Sequence, residues 1–357
     1  MREWTRSARV ERGRAAARVS GSRRPAGVVA VLVLTLAALI ATGAPVASAG
    51  VPVCTPTGFV RDTIDLTAHM INPAGTVSGT VDATGCNIGI YYGPGHTGTV
   101  SHADVFGANY FGIVNDGSTV GINHSSVHDI GETPLNGTQH GNAIYFAVDD
   151  PGAAGSITHN HVWNYQKNGI TDTSAGHRVA INHNVVNGEG PVDYIAQNGI
   201  EVGFGATATV THNTVTGNSY TGAGGASSGG ILVVGGECFG VGRPVSVGVR
   251  INHNTLRGND VGVFLANLDS NCVSVTTPTK NVVSHNTIKN FAVNNTSGNG
   301  PNAGYQAGVS VAGDLDSINH NGICGLGYKP VASPPPFLFR IDASIAIDPR
   351  VSHNHGC

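Results

Sequence analysis

Charge is scarce in this chain: Asp, Glu, Lys and Arg together make up 11% of it, and aromatic residues 6%. A helical enzyme of this length draws heavily on Glu, Lys, Arg and Leu, so a large helical domain is excluded. Clustered basic residues are also missing. Residues 1–49 hold eight Arg against two Glu, which leaves 11 basic against 20 acidic residues beyond them, a balance near −9 with histidine neutral. Such a surface suits neither nucleic acid nor an anionic membrane. No C-x-x-C pair occurs, and a zinc site is not expected. Glycine, in contrast, is abundant at 51 residues. It follows no G-X-Y period, which excludes collagen. The 40% hydrophobic content is enough for a buried core.

The first 49 residues read as an export signal. A basic stretch ends at Arg23-Arg24, the apolar run Val28 to Ala41 follows, and Ala47-Ser48-Ala49 supplies a small-x-small cleavage pattern. The run is too short to span a bilayer comfortably. Secretion is therefore expected, with no membrane contact after cleavage. The six cysteines all lie beyond that point, and an even count in an exported chain favours disulfides. Of fifteen pairings, sequence order suggests Cys54–Cys86, Cys238–Cys272 and Cys324–Cys357.

One tetrapeptide recurs along the chain, with Ile or Val, a small polar residue, His and Asn in order. Its copies centre on His159-Asn160, His183-Asn184, His212-Asn213, His253-Asn254, His285-Asn286, His320-Asn321 and His353-Asn354, and degenerate copies centre on His102 and His124. Nine of the sixteen histidines share this one phase. Between the copies stands Gly followed by a β-branched residue, as in Gly169-Ile170, Gly199-Ile200 and Gly230-Ile231, with apolar residues recurring at spacing two. That alternation marks strands with one buried face. Successive histidines lie 22 to 41 residues apart. A fixed short repeat with loops of free length is the pattern of a solenoid, with the Asn expected to take the left-handed conformation at each corner.

These corners and strands resemble the repeats of right-handed parallel β-helix proteins, the pectate-lyase-like superfamily, over about residues 80–325. The resemblance implies an all-β, single-stranded right-handed parallel β-helix of about eight or nine coils. Residues 50–80 would form an N-terminal cap, 81–328 the repeats, and 329–357 a C-terminal capping tail. It also implies that the Gly-initiated strands form the first sheet of each coil. The His-Asn corner would then join the second and third.

The histidine column invites a metal reading, but repeated ligands would form a strip rather than one site. Structural ladders of stacked His and Asn are the reading adopted. Charging two imidazoles about 4.8 Å apart costs about 0.9 kcal/mol at water's dielectric and about 3.5 kcal/mol at an effective value of 20. Stability is then expected to fall as the imidazoles charge in acid.

Long insertions flank the Gly-initiated strand on both sides and would wall a groove over the first sheet, where the resembling enzymes bind saccharide chains. The column expected to face that groove includes Tyr145, Thr171 and Glu201, with Glu201 a candidate acid, base or calcium ligand. Asp172 falls at an inward position, where a carboxylate needs partners or a shifted pKa. Asp172, Glu201 and Lys167 are thus the candidate catalytic residues, and Tyr145, His140, Gln197, Asp193, Asp149 and Asp150 the candidate substrate-binding set. No cofactor signature is present, with calcium the one candidate ion. The motif series of inverting glycosidases of this fold is absent, as is the G-G-x-G-x-D calcium repeat. Two readings follow. One is a polysaccharide lyase or hydrolase using the groove. The other is a non-catalytic extracellular protein that binds glycans or serves structurally. Either is expected as a monomer.

Overall fold

The computed structural model describes residues 53–147, 152–295, 304–332 and 335–356. Residues 1–52, which hold the expected export signal, and Asp149, Asp150 and Cys357 lie outside the described residues. Each repeat contributes three strands. The Gly-initiated strands, among them Phe111–Asn115, Asn142–Phe146, Asn168–Asp172, Asn198–Gly203 and Gly229–Gly235, pair in parallel from coil to coil. Each His-Asn segment bends at its centre into two arms, and each arm pairs in parallel with its equivalent on the next coil. Arg178–Asn182 lies along Thr207–Thr211, and Val185–Val192 along Thr214–Tyr220. The chain is a parallel β-helix, with nine His-centred corners stacked in file. Its winding is right-handed by the steric rule for parallel crossovers.

The interior is narrow and mostly apolar. Ile170, Ile200 and Ile231 from the first sheet meet Ile181 and Val210 from the arms before the corner, and Val186 and Val215 from the arms after it, all fully buried. The glycine before each Ile has a steric reason. A Cβ at Gly199 would stand 2.2 Å from Val215 Cγ1 and 2.7 Å from the Gly230 carbonyl, and one at Gly230 would stand 2.7 Å from the Gly262 carbonyl. Coils stacked this closely leave no room there for a side chain.

The corner corrects one expectation. The residue in the left-handed region is the histidine, with φ between 49° and 57° at all nine corners, and not the asparagine. The asparagine turns inward instead. Asn184 N–H and Nδ2 both donate to Asn213 Oδ1, at 2.9 and 3.0 Å, while its Nδ2 also donates to the Ile157 carbonyl of the preceding coil. The same pattern runs from Asn160 through Asn184, Asn213, Asn254, Asn286 and Asn321 to Asn354. It is a continuous buried amide ladder. The imidazoles stand outside it, exposed, with successive ring centroids 4.8–5.2 Å apart and ring planes within 10°. Exposure keeps the repulsion between charged neighbours at the water-like end of the range. Because asparagine tolerates this backbone region and valine does not, His212→Asn should leave stability nearly unchanged. His212→Val should lose about 1–2 kcal/mol in urea denaturation.

At the N-terminal end, Thr55–Arg61 and Ile64–Ile71 form an antiparallel hairpin on the edge of the first sheet, and the second of these strands pairs in parallel with Ile88–Tyr92. Cys54 is bonded to Cys86, which ties this hairpin to the first coil. Cys238 is bonded to Cys272, joining two loops that follow first-sheet strands. Cys324 is disulfide-bonded as well. The C-terminal tail adds a turn to the helix, since Phe337–Asp342 and Arg350–Ser352 pair in parallel with the coil before them. No helix among the described residues is long and apolar enough to cross a membrane.

Candidate functional site on the outward face of the first sheet

The outer face of the first sheet changes character along the helix axis. At its N-terminal end the hairpin lays Phe59, Leu66 and Ala68 over Ile88, Tyr91, Phe111 and Val114, forming a second apolar cluster. Further along, Leu232 and Phe264 are only half-buried. Between these apolar ends lies a polar stretch two residues wide on each strand. One row is Asn142, Asn168 and Asn198, and the other is Tyr145, Thr171 and Glu201, held in line by the strand register.

Hydrogen bonds in this stretch converge on Glu201. Gly229 N–H donates to Asn198 Oδ1, Asn198 Nδ2 to Asn168 Oδ1, and Asn168 Nδ2 to Glu201 Oε2, each at 3.0 Å. Glu201 is 9% exposed. Burial pushes its carboxyl above the ordinary range, while Lys167 and the Asn168 amide pull it back. Lys167 precedes the Asn168 strand, and its Nζ donates to the Ala196 carbonyl at 3.0 Å. Burial pushes this amine below the usual lysine range, opposed by the charge of Glu201. The two groups thus form an acid and a base whose proton affinities are drawn toward each other. Beside them, Thr171 Oγ1 and Asn142 Oδ1 are buried and lack a hydrogen-bond partner among the described residues.

The structure brings together only part of the predicted site. Tyr145 is half-buried in the Glu201 row, stacked on Phe111 at 4.8 Å, with its hydroxyl accepting from Thr173 Oγ1 at 3.3 Å. Asp172 points the other way. It pairs with Phe146 and Val202, both core residues, and its Oδ1 accepts from the Ser174 N–H and hydroxyl. The sheet therefore separates Asp172 from Glu201, and one substrate cannot touch both. Gln197 is fully buried and fully engaged. Its Nε2 donates to the Tyr165 carbonyl and its Oε1 accepts from Glu189 N–H, so it anchors a loop. His140 stacks on Tyr110 at 3.8 Å and lies 2.7 Å from Glu132 Oε1. Asp193 is exposed on the loop that Gln197 anchors. Among the described residues, no group of three or more His, Cys, Asp or Glu is arranged to hold a metal ion.

Sequence reasoning missed the asparagine row and Arg61. The row was signalled by the Asn before Gly in Asn168-Gly169 and Asn198-Gly199. Arg61 carried no such signal. It belongs to the hairpin, which folds back so that the guanidinium lies 3.9 Å above the Phe59 ring and 5.9 Å from the Tyr145 ring.

No protein-family model matches this chain, and no curated protein matches it. Among solved structures, it is similar to the A-module of the mannuronan C-5 epimerase AlgE4 from Azotobacter vinelandii. The two are 14% identical, over 82% of this chain and 74% of that one, with a TM-score of 0.38.

Proposed function

We propose that this is an exported carbohydrate-active β-helix protein that holds an acidic polysaccharide along the outer face of its first sheet and cleaves it by β-elimination. The observation that carries the reading is the buried Glu201 with the half-buried Lys167 near enough to feel its charge, set in a polar stretch between Tyr145 on one side and Leu232 and Phe264 on the other. Half-buried aromatic and aliphatic faces suit pyranose rings, and the amides suit their hydroxyls. Export accords with the disulfides.

Elimination is favoured over hydrolysis because the polar stretch holds one carboxylate among its described residues, whereas hydrolysis by either usual route needs two. In elimination from a uronate, a base removes the proton beside the carboxyl group. The bond to the leaving oxygen breaks, that oxygen takes a proton from water, and a carbon–carbon double bond remains. Lys167, with its proton affinity lowered, is assigned as the base. Glu201, with its own raised, is assigned to donate a hydrogen bond to the uronate carboxylate, as a buried neutral carboxyl can. Arg61 adds positive charge at the hairpin edge.

The test is a screen of the purified chain on pectin, alginate and glycosaminoglycans, with added calcium and with chelator, reading unsaturated product by ultraviolet absorbance. Lys167→Met and Glu201→Gln are each expected to lower kcat at least about 100-fold while the chain still folds. New reducing ends without unsaturation would replace elimination with hydrolysis. The second reading, glycan binding without turnover, is favoured by the bond from Lys167 Nζ to the Ala196 carbonyl. Saturable binding with no product in any screen would establish it.

A further inference from the structure

The imidazole file lies on the corner between the second and third strand files and is not part of the first-sheet groove. Its surroundings depart from the acidic character of the chain. From Thr207 to Ser352 the arms on either side of the corner contain no Asp or Glu. They do contain Arg250 and Arg257, which flank His253 on opposite arms, Lys289 beside His285, and Arg350 beside His353. Arg250, Arg257 and Arg350 are exposed, and Lys289 is half-buried. Of the remaining charged or titratable groups on these arms, Tyr220 lies within this stretch and His355 just past it, and the others sit toward the other end. Asp104 and Asp129 both contact His128, Arg178 donates to the Ala208 and Gly248 carbonyls, Glu189 lies on a long arm, His161 lies against Trp163, and His355 follows the last corner.

Four of the nine rings share one contact. Nδ1 of His124, His183, His253 and His320 lies 3.1–3.4 Å from the Oδ1 of the preceding asparagine, which can only accept. In these four the contact places a proton on Nδ1 and leaves Nε2 as the acceptor nitrogen. The ring planes are parallel, so neighbouring Nε2 lone pairs run side by side and do not converge on a shared ion.

We infer that the histidine file, with Arg250, Arg257, Lys289 and Arg350, is a second glycan-binding track, which holds an extended polyuronate parallel to the helix axis. Two observations support it, charge and pitch. The file repeats every 4.8–5.2 Å, the length of one pyranose in an extended β-1,4-linked chain. Successive residues of such a chain face opposite sides, so a polyuronate laid along it brings one carboxylate to every second imidazole and stays in step over many coils. A nucleic acid duplex carries one phosphate per strand for about every 3.4 Å of its axis and falls out of step within a few coils. Binding also relieves the repulsion that accumulates as stacked imidazoles charge, so affinity rises as histidine gains its proton.

The experiment measures binding of β-1,4-linked glucuronate oligomers to the purified chain, with cello-oligomers of equal length and oligodeoxythymidylate of equal charge as comparators. At about pH 5.5 the glucuronate affinity is expected to rise at least about tenfold between four and eight residues, and to fall at least about tenfold at about pH 7.5. The triple variant His183→Asn, His212→Asn, His253→Asn keeps the corner backbone and should lose at least about tenfold at the lower pH. Arg250→Gln with Arg257→Gln, both exposed, should weaken binding several-fold without touching the corners. Equal affinity for cello-oligomers or for oligodeoxythymidylate would overturn the proposal, as would unchanged binding in both variants. Loss of this binding in Glu201→Gln would move the oligomer to the first-sheet groove and overturn it too.

Discussion

Asn213→Ala is expected to destabilise the chain by about 3–5 kcal/mol, more than His212→Val. The side chain of Asn213 accepts from the Asn184 backbone and amide, and donates to the Ile181 carbonyl and to Asn254 Oδ1. Asn184, Asn213 and Asn254 are each 1% exposed. Truncation leaves the Asn184 backbone N–H without its acceptor and removes a partner from three other polar groups, in a place water does not reach. Each buried group left unmet costs about 1–3 kcal/mol. Urea denaturation followed by far-ultraviolet dichroism measures the loss. A midpoint within error of the unsubstituted chain would mean that the ladder is geometric order without energetic weight. Because each coil is held mainly by its neighbours, the damage should centre on the coils around residues 184–254 and appear as a broadened transition.

The second large effect concerns pH. Burial pushes Asp172 up to about 7, and Asp260 and Asp316 each up to about 6. An aspartate in the unfolded chain titrates near about 3.9. Below that value both states hold the proton, and these groups favour neither. As pH rises past it, the unfolded chain gives up protons that the folded chain retains, so folding stability declines until the folded groups ionise as well. For Asp172 the decline spans about pH 4 to 7 and reaches about 4 kcal/mol. The melting temperature should therefore be higher near pH 5 than near pH 8. This is opposite in direction to the acid weakening expected from imidazole repulsion, which exposure keeps small. Asp172→Asn retains an oxygen for the Ser174 donors and removes the charge. It should raise the melting temperature near pH 8 and change it little near pH 4. A variant less stable than the parent at pH 8 would show that the carboxylate is stabilising in its ionised form.

The fold was legible because its repeat is written in residue types that only stacking can align. A histidine every 22 to 41 residues has no local explanation, and neither has a glycine before each inward isoleucine; both acquire one when coils lie 4.8 Å apart. The backbone role at the corner was misassigned for a definite reason. Asparagine is the more familiar left-handed residue, but here its amide is required inside the ladder, so the exposed imidazole takes the unusual φ. The site was less legible. Glu201 and Tyr145 could be placed outward by counting from the glycine, and Asp172 inward by the same count, whereas Lys167 was grouped with Asp172. Counting along the chain does not reveal that the sheet divides Asp172 from Glu201, because alternation gives the face of a residue and not what lies over it. Arg61 reaches the site through a fold-back of the hairpin that no periodicity encodes. Gln197 lies next to the asparagine row in sequence, yet its amide is directed at backbone groups that only the loop conformation brings near.

The two files at each corner also make the molecule adjustable in whole steps. The stretch from His183 to Thr211 supplies one imidazole, one inward amide, one glycine strand and one set of core aliphatics. Duplicating or excising such a unit preserves every repeat column across the join. The length of the rod, and the number of sugar units a surface along it can meet, can therefore change by unequal recombination without redesign of the ladder contacts, as links are added to a chain.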